Sequence, residues 1–238
     1  MVTFSLVAES SKRIHVQVAK QIARKILSGE LEQGEKLPNE LELCELFGIS
    51  RTALRESMKL LSAKGLLASR PKVGTKVLTK ENWHFLDPQL LEWLQDLEGS
   101  EFFLSQFLGL RKAIEPEACA LASLNATVEQ RKEISILFQK MTQAALEDNE
   151  QAWVKVDLEF HCKIFQSTAN KFFVPFGNIL STIFRRFIDR SAEGGRYCLE
   201  EHRAIYEAIM VGNPEQARIA SARLLNDSNQ RLATVVNG

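Results

Sequence analysis

The chain has 238 residues, 45% of them hydrophobic and 25% charged, with a formal net charge of zero. That length accommodates two domains of ordinary size, and the composition is that of a soluble globular protein rather than a disordered or fibrous one. No run approaches the ~18 consecutive apolar residues that a membrane helix needs, and the amino-terminal MVTFSLVAESSKR has no basic segment ahead of its short apolar stretch, unlike a secretory leader. Cys44, Cys119, Cys162 and Cys198 are scattered with no C-x-x-C pair, which argues against a disulfide frame or a zinc ribbon and predicts reduced thiols in the cytoplasm. The zero balance conceals a polarity: residues 1–80 hold 14 Lys/Arg against 8 Asp/Glu, and residues 81–238 hold 16 against 22. A basic amino-terminal part joined to an acidic remainder points to a nucleic-acid surface near the start.

Residues 1–11 read as a loose arm. Ile14, Val18, Ile22, Ile26 and Leu27 recur at helical spacing and predict a helix over 12–28, ended by Ser28-Gly29. Two short helices around a tight turn follow in LPNELELCELFGISRTALRESMKLLSAKG: the first opens at Pro38-Asn39, Gly48 supplies the turn, and Ser50 is a good N-cap for the second. Strand-like runs at 66–70 and 75–78 flank the loop Pro71-Lys72-Val73-Gly74. Helix, turn, helix and basic-loop hairpin together predict a winged helix-turn-helix over residues 1–80. Residues 81–100 contain Trp83, Phe85, Leu86, Leu90, Leu91, Trp93 and Leu94, too apolar for a free tether. This connecting segment is expected to pack on the second domain, with a short helix starting near Asp87-Pro88. From residue 101 to 238 the period is helical throughout. Helices are predicted near 101–123, 128–147, 149–168, 171–191, 198–211 and 214–235, with lengths that suit an all-α bundle. The fold expected is mainly α: an amino-terminal winged helix-turn-helix and a carboxy-terminal helical bundle.

Arg51, Arg55 and Lys59 drift over only about 80° of the second short helix, leaving Ala53, Leu54, Ser57, Leu60 and Leu61 on the other side. Arg51, near the helix start, has the two-pronged geometry for guanine, and Thr52 beside it can touch a base edge. Arg55, Lys59 and Ser50 suit phosphates, and Lys72 at the wing tip suits the adjacent minor groove. A solvated amphipathic face would show the same charges. The preceding helix, the glycine turn and the basic wing decide for DNA.

In the second domain, Asp157 and His161 stand i, i+4 in VDLEFHCKIF and share a helix face, and His202 in LEEHRAIYEAI can complete a divalent-metal cluster. The alternative is a hydrogen-bonded surface pair. Arg111, on the apolar segment FLGLRKAIEPEA, has two readings: an intrahelical pair with Glu115, or a fixed cation for a small carboxylate effector. No G-x-S-x-G, H-E-x-x-H, P-loop or dinucleotide motif is present, so no catalytic residue is assigned.

The run LPNELELCELFGISRTALRESMKLLSAKGLL with RPKVGTKV resembles the winged helix of GntR-type bacterial transcription regulators. The segments LRKAIEPEACALAS, DLEFHCKIF and EHRAIYEAIMVGNPEQA are similar to the FCD effector-binding domain of the FadR subfamily. The join NWHFLDPQLLEW is similar to that of sugar-acid regulators. The resemblance implies DNA contacts at Ser50, Arg51, Thr52, Arg55 and the wing, including Gly74. It also implies a zinc-like metal on Asp157, His161 and His202, a sugar-acid effector and a homodimer reading an inverted repeat. Leu224 stands where the family pattern has a further histidine, and Lys72 stands where the wing usually has glycine. The expectation is a non-enzymatic, ligand-responsive regulator, most simply a repressor. The rivals are a metal-dependent enzyme or a metal-sensing regulator that uses the same three residues.

Overall fold

The computed structural model describes residues 14–70, 73–95, 97, 101–191 and 197–236. It divides into two units, residues 1–100 and 101–238. The arm expected over 1–11 lies outside the described residues.

In the first unit, α1 (Ile14–Leu27) buries Val18, Ala19, Ile22, Ala23, Ile26 and Leu27 and packs on α3 (Arg51–Ala63). Each buried valine, isoleucine or leucine among them contributes about 1.5–3 kcal/mol. Between them, α2 (Glu40–Phe47) opens on a capping box in which Asn39 and Glu42 satisfy each other's backbone N–H groups. It closes on Gly48 in the left-handed region, and the two residues left before α3 are Ile49 and the N-cap Ser50. The wing is an antiparallel hairpin, β1 (Leu67–Arg70) with β2 (Gly74–Val77), in the register Leu67 to Val77 and Arg70 to Gly74. An isolated bridge from Lys36 to Lys76 ties it to the entry of α2.

The segment after the wing corrects one expectation. The sequence assigned its apolar residues to the second domain, yet they are built into the first unit. A single 3-10 turn at Lys80–Asn82 leads to Trp83, whose indole N–H donates to the Leu78 carbonyl at 3.0 Å. α4 (Pro88–Gln95) then packs on α1, with Pro88 at its first position as expected. Its Leu90, Trp93 and Leu94 are buried. The anchor is Lys64, at the end of α3 and only 3% exposed. Its Nζ lies 2.6 Å from Asp87 Oδ1 and 5.3 Å from the centre of the Trp93 ring. Hydropathy alone cannot find that contact, because its organising residue is a lysine.

The second unit is all α: α5 (Glu101–Asn125), α6 (Val128–Leu146), α7 (Glu150–Gln166), α8 (Val174–Ser191), α9 (Leu199–Val211) and α10 (Pro214–Val236). α5 packs on α10, which also lies along α9; α6 pairs with α7, and α7 with α8. Thr127 with Gln130 forms a capping box for α6, and Asn149 caps α7. α8 starts three residues later than the periodicity suggests. Pro175, which has no N–H to give, is suited to the first turn, where it stands. Phe160, Ile164, Phe165, Ile134, Met141 and Ile209 centre the core, and Leu224 is buried in it. One polar residue organises an end of this core. The Arg131 guanidinium donates to the carbonyls of Ala126, Ser123 (2.6 Å) and Ile209, serving the last turns of α5 and α9 together.

Candidate functional site

Two sites emerge, one in each unit. In the first, α3 turns Leu54, Ser57 and Leu61 inward and leaves Arg51, Thr52, Arg55 and Lys59 exposed. Ser50 accepts the Ala53 N–H at 3.2 Å, so its hydroxyl fixes the start of the helix. An open groove of about 930 Å³ runs between the start of α2, the exposed face of α3 and the wing, with Pro38, Asn39, Arg55, Lys59, Arg70 and Gly74 among its lining residues. Gly74 has φ +96° and open space where a side chain would stand. Lys72 lies outside the described residues.

Two carboxylates, not singled out in the sequence, modify this cationic face. Glu40 takes the Arg55 guanidinium in a two-point contact, at 3.1 Å from Nε and 3.4 Å from Nη2. Glu56 takes Lys59 at 2.7 Å. Arg51 has no such partner among the described residues and stands at the helix start with its charge unshared. The Glu56 pair was legible as an i, i+3 spacing, whereas Glu40 meets Arg55 only through the turn between α2 and α3.

In the second unit the fold brings Asp157 and His161 of α7 to His202 of α9, with one ligating atom from each lying within 4.8 Å of the others. His202 is 3% exposed and His161 likewise. His161 Nδ1 is 3.1 Å from Glu115 Oε2, and His202 Nδ1 is 2.6 Å from the Cys198 carbonyl oxygen. Each ring donates its Nδ1–H outward to an oxygen, which leaves the Nε2 lone pair facing the cluster. Asp157 Oδ1 stands 2.7 Å from His202 Nε2 and 3.8 Å from His161 Nε2. The first distance is short, but the contact lacks hydrogen-bond alignment, and His202 Nε2 is a buried nitrogen with no hydrogen-bond partner. Two imidazole nitrogens and a carboxylate oxygen converging inside a buried site are a donor set that a divalent cation can bridge.

The electrostatics agree. Burial pushes the Asp157 carboxyl up, but His202, His161 and Arg111 outweigh it and hold it at about 2. Burial acts the same way on Glu115, and Arg111 with His161 holds that carboxyl at about 2 as well. Burial pulls the His161 pKa down, but the carboxylates of Glu115 and Asp157 carry it above its ordinary value.

Of the two readings of Arg111, the intrahelical pair with Glu115 is present: Nε donates to Oε1, and Nη2 lies 3.3 Å from Oε2. Glu115 thereby joins Arg111 on α5 to His161 on α7, a link the sequence did not reveal because it crosses between helices. Trp153 and Phe160 set their edges against His202 at ring-centre distances of 5.6 and 5.8 Å and wall the cluster with apolar surface. Two imidazole nitrogens and one carboxylate oxygen, one of the nitrogens orphaned, fit a divalent cation of the zinc type that keeps open positions.

A winged helix-turn-helix with a cationic reading helix, followed by a helical bundle around a buried polar cluster, defines a ligand-responsive DNA-binding regulator. Comparison with known proteins makes the class specific: residues 14–77 match the bacterial regulatory proteins of the gntR family, and residues 106–227 match the FCD domain. The chain belongs to the GntR family of transcriptional regulators with an FCD domain. It is 35% identical over 223 residues to the uncharacterized HTH-type transcriptional regulator YieP of Escherichia coli, covering 93% of this chain and 96% of that one. It is 27% identical over 227 residues to the galactonate operon transcriptional repressor of Escherichia coli, covering 94% and 96%. It is also 27% identical over 225 residues to that organism's candidate regulator of the L-lactate dehydrogenase operon, covering 88% and 82%. Among solved structures, Lar of Listeria monocytogenes shares the fold with a TM-score of 0.58 at 18% identity, covering 95% of this chain and 99% of that one. Among the described residues no helix is long and apolar enough to cross a membrane.

Proposed function

We propose that the protein is a homodimeric cytoplasmic repressor of an operon for the catabolism of a sugar acid or related 2-hydroxy acid, released when that acid binds beside a divalent metal in the FCD domain. The observation that carries this reading is the orphaned His202 Nε2, facing Asp157 and His161 inside an apolar wall. Two relatives are named for a galactonate operon and an L-lactate dehydrogenase operon, and galactonate and L-lactate are both 2-hydroxy carboxylates.

Asp157, His161 and His202 would hold the metal, and the bound ion supplies a Lewis-acidic point for a carboxylate and its α-hydroxyl. The chain's own groups do the rest. Glu115 and the Cys198 carbonyl hold the two imidazoles in the ligating tautomer. Arg111 keeps Glu115 ionised and provides the positive charge that an entering carboxylate meets. Trp153 and Phe160 exclude water, which strengthens each of these interactions. At the other end, Arg51 and Thr52 read bases, while Ser50, Arg55, Lys59 and the wing with Lys72 and Gly74 hold phosphates and the adjacent groove. Release is a population shift: the acid weakens operator binding by the factor with which it prefers the DNA-incompetent arrangement.

The test is a thermal-shift series on the full chain with zinc, with EDTA, and with zinc plus D-galactonate or L-lactate, alongside release of a duplex selected by the protein. Ligand at about one hundred times its Kd stabilises the native state by about 2.7 kcal/mol. The reading expects a metal-dependent rise with one of the acids, duplex release by that acid, and loss of both effects in His202→Ala. Acid effects that persist unchanged after chelation would falsify the metal-dependent site. Release by zinc alone would instead make the protein a metal sensor, and consumption of the acid would make it an enzyme.

A further inference from the structure

The recognition helix and the segment that leaves the DNA-binding unit share one atom. Asp87 Oδ1 accepts the Leu90 N–H at 2.8 Å, capping α4, and the same oxygen lies 2.6 Å from Lys64 Nζ at the end of α3. Lys64 is enclosed, its ammonium over the Trp93 ring at 5.3 Å from the ring centre and directed at that oxygen. Two further ties run in parallel. The His84 N–H donates to the Lys64 carbonyl at 3.0 Å. Gly65, at φ +71°, lets the chain pass so close to residue 82 that a Cβ there would stand 1.8 Å from the Asn82 carbonyl oxygen.

We propose that Lys64 and Asp87 are positioning residues that join the orientation of the DNA-reading helix to the order of the α4 amino terminus, and that this joint is the route by which the effector domain, which follows α4 in the chain, acts on DNA binding. The physical argument is the shared acceptor. A buried ammonium with one carboxylate partner cannot drift from it without facing apolar surroundings. Any rotation of the α3 end therefore carries Asp87 Oδ1 with it, and displacing that oxygen uncaps α4. Linkage makes the effect reciprocal: whatever duplex binding does to α4, a change imposed on α4 does to duplex binding. The inference extends the family's DNA-binding activity and is independent of which effector the second unit takes.

The experiment is amide hydrogen exchange of the full-length protein, free and bound to a duplex that the wild-type protein selects from a random pool. Gln89, Leu90 and Leu91 are followed in the wild type and in the double variant Lys64→Met/Asp87→Asn. Methionine keeps an unbranched buried side chain in place of the lysine, and asparagine keeps a capping oxygen for Leu90, so the charge pair is removed together with the ammonium over the Trp93 ring. In the wild type, duplex binding is expected to slow exchange at these amides about fivefold or more. In the double variant the duplex affinity stays within about threefold of wild type, while the slowing falls below about twofold. Exchange at 89–91 that ignores the duplex in the wild type overturns the proposal, and so does slowing that survives intact in the variant. The wild-type arm decides by itself should the variant not fold, and selection of no duplex at all would indict DNA binding rather than the joint.

Discussion

Removing the Arg111 guanidinium leaves Glu115, a carboxylate only 1% exposed, facing His161 alone. Breaking one side of a buried pair costs about 3–5 kcal/mol, whereas replacing both partners by neutral groups of similar size costs far less. Arg111→Ala is therefore expected to lower the melting temperature of the second unit sharply, and Arg111→Met/Glu115→Gln to restore most of it. Equal losses in the two variants, read by circular dichroism, would contradict the buried pair. At the DNA face the partners differ: Arg51 has no carboxylate partner among the described residues, while Arg55 is held by Glu40. Arg51→Ala is expected to cost about 1–3 kcal/mol at one base position, a loss of roughly fivefold to 150-fold in operator affinity with non-specific binding retained. Competition titration against mutated duplexes measures it. The thiols add a third expectation. Burial pushes Cys119 up to about 12 and Cys162 up to about 11, so both remain protonated at pH 8 and poorly nucleophilic. Thiol titration of the native protein should count fewer than four groups, rising to four in denaturant.

Single residues in turn hold whole elements in place. Arg131 supplies donors to carbonyls at two helix ends, Ser123 and Ile209 among them. Arg131→Met is expected to cost on the order of 3 kcal/mol through the orphaned carbonyls, measured by urea unfolding. A loss below about 1 kcal/mol, the worth of one ordinary hydrogen bond, would show that water replaces the guanidinium. The elements themselves were largely legible. Apolar residues at 14, 18, 22 and 26 announce α1, Pro38-Asn39 marks the start of α2, and Gly48 and Ser50 mark the turn between α2 and α3. Starts and attachments were harder. The onset of α8 is set by Pro175 rather than by hydrophobic period. The packing of Trp83, Leu90 and Trp93 is set by Lys64, a residue that sequence reasoning ordinarily sends to the surface.

Across the molecule, the candidate metal centre was partly visible for a clear reason. An i, i+4 spacing places Asp157 and His161 together by helix geometry alone, but only the tertiary fold brings His202 to them, and only the fold sets Glu115 behind His161. Leu224 sits buried in the core, so among the described residues the candidate donors are the three named. Metal analysis of the purified chain is expected to find close to one divalent ion per subunit, lost in His161→Ala and His202→Ala. Occupancy unchanged in both variants would place the ion elsewhere.

The pairing of Arg55 with Glu40 bears on how binding responds to ionic strength. Each phosphate neutralised on a duplex frees condensed cations and steepens log K against log[salt] by about 0.9. When Arg55 swings from Glu40 to a phosphate, the abandoned carboxylate recruits a cation of its own and cancels most of that gain. The operator complex should therefore tolerate rising salt better than its tally of arginines and lysines implies. Glu40→Gln should restore the missing steepness, by about one unit for each reading head, as affinity titrations over a range of potassium concentrations would register.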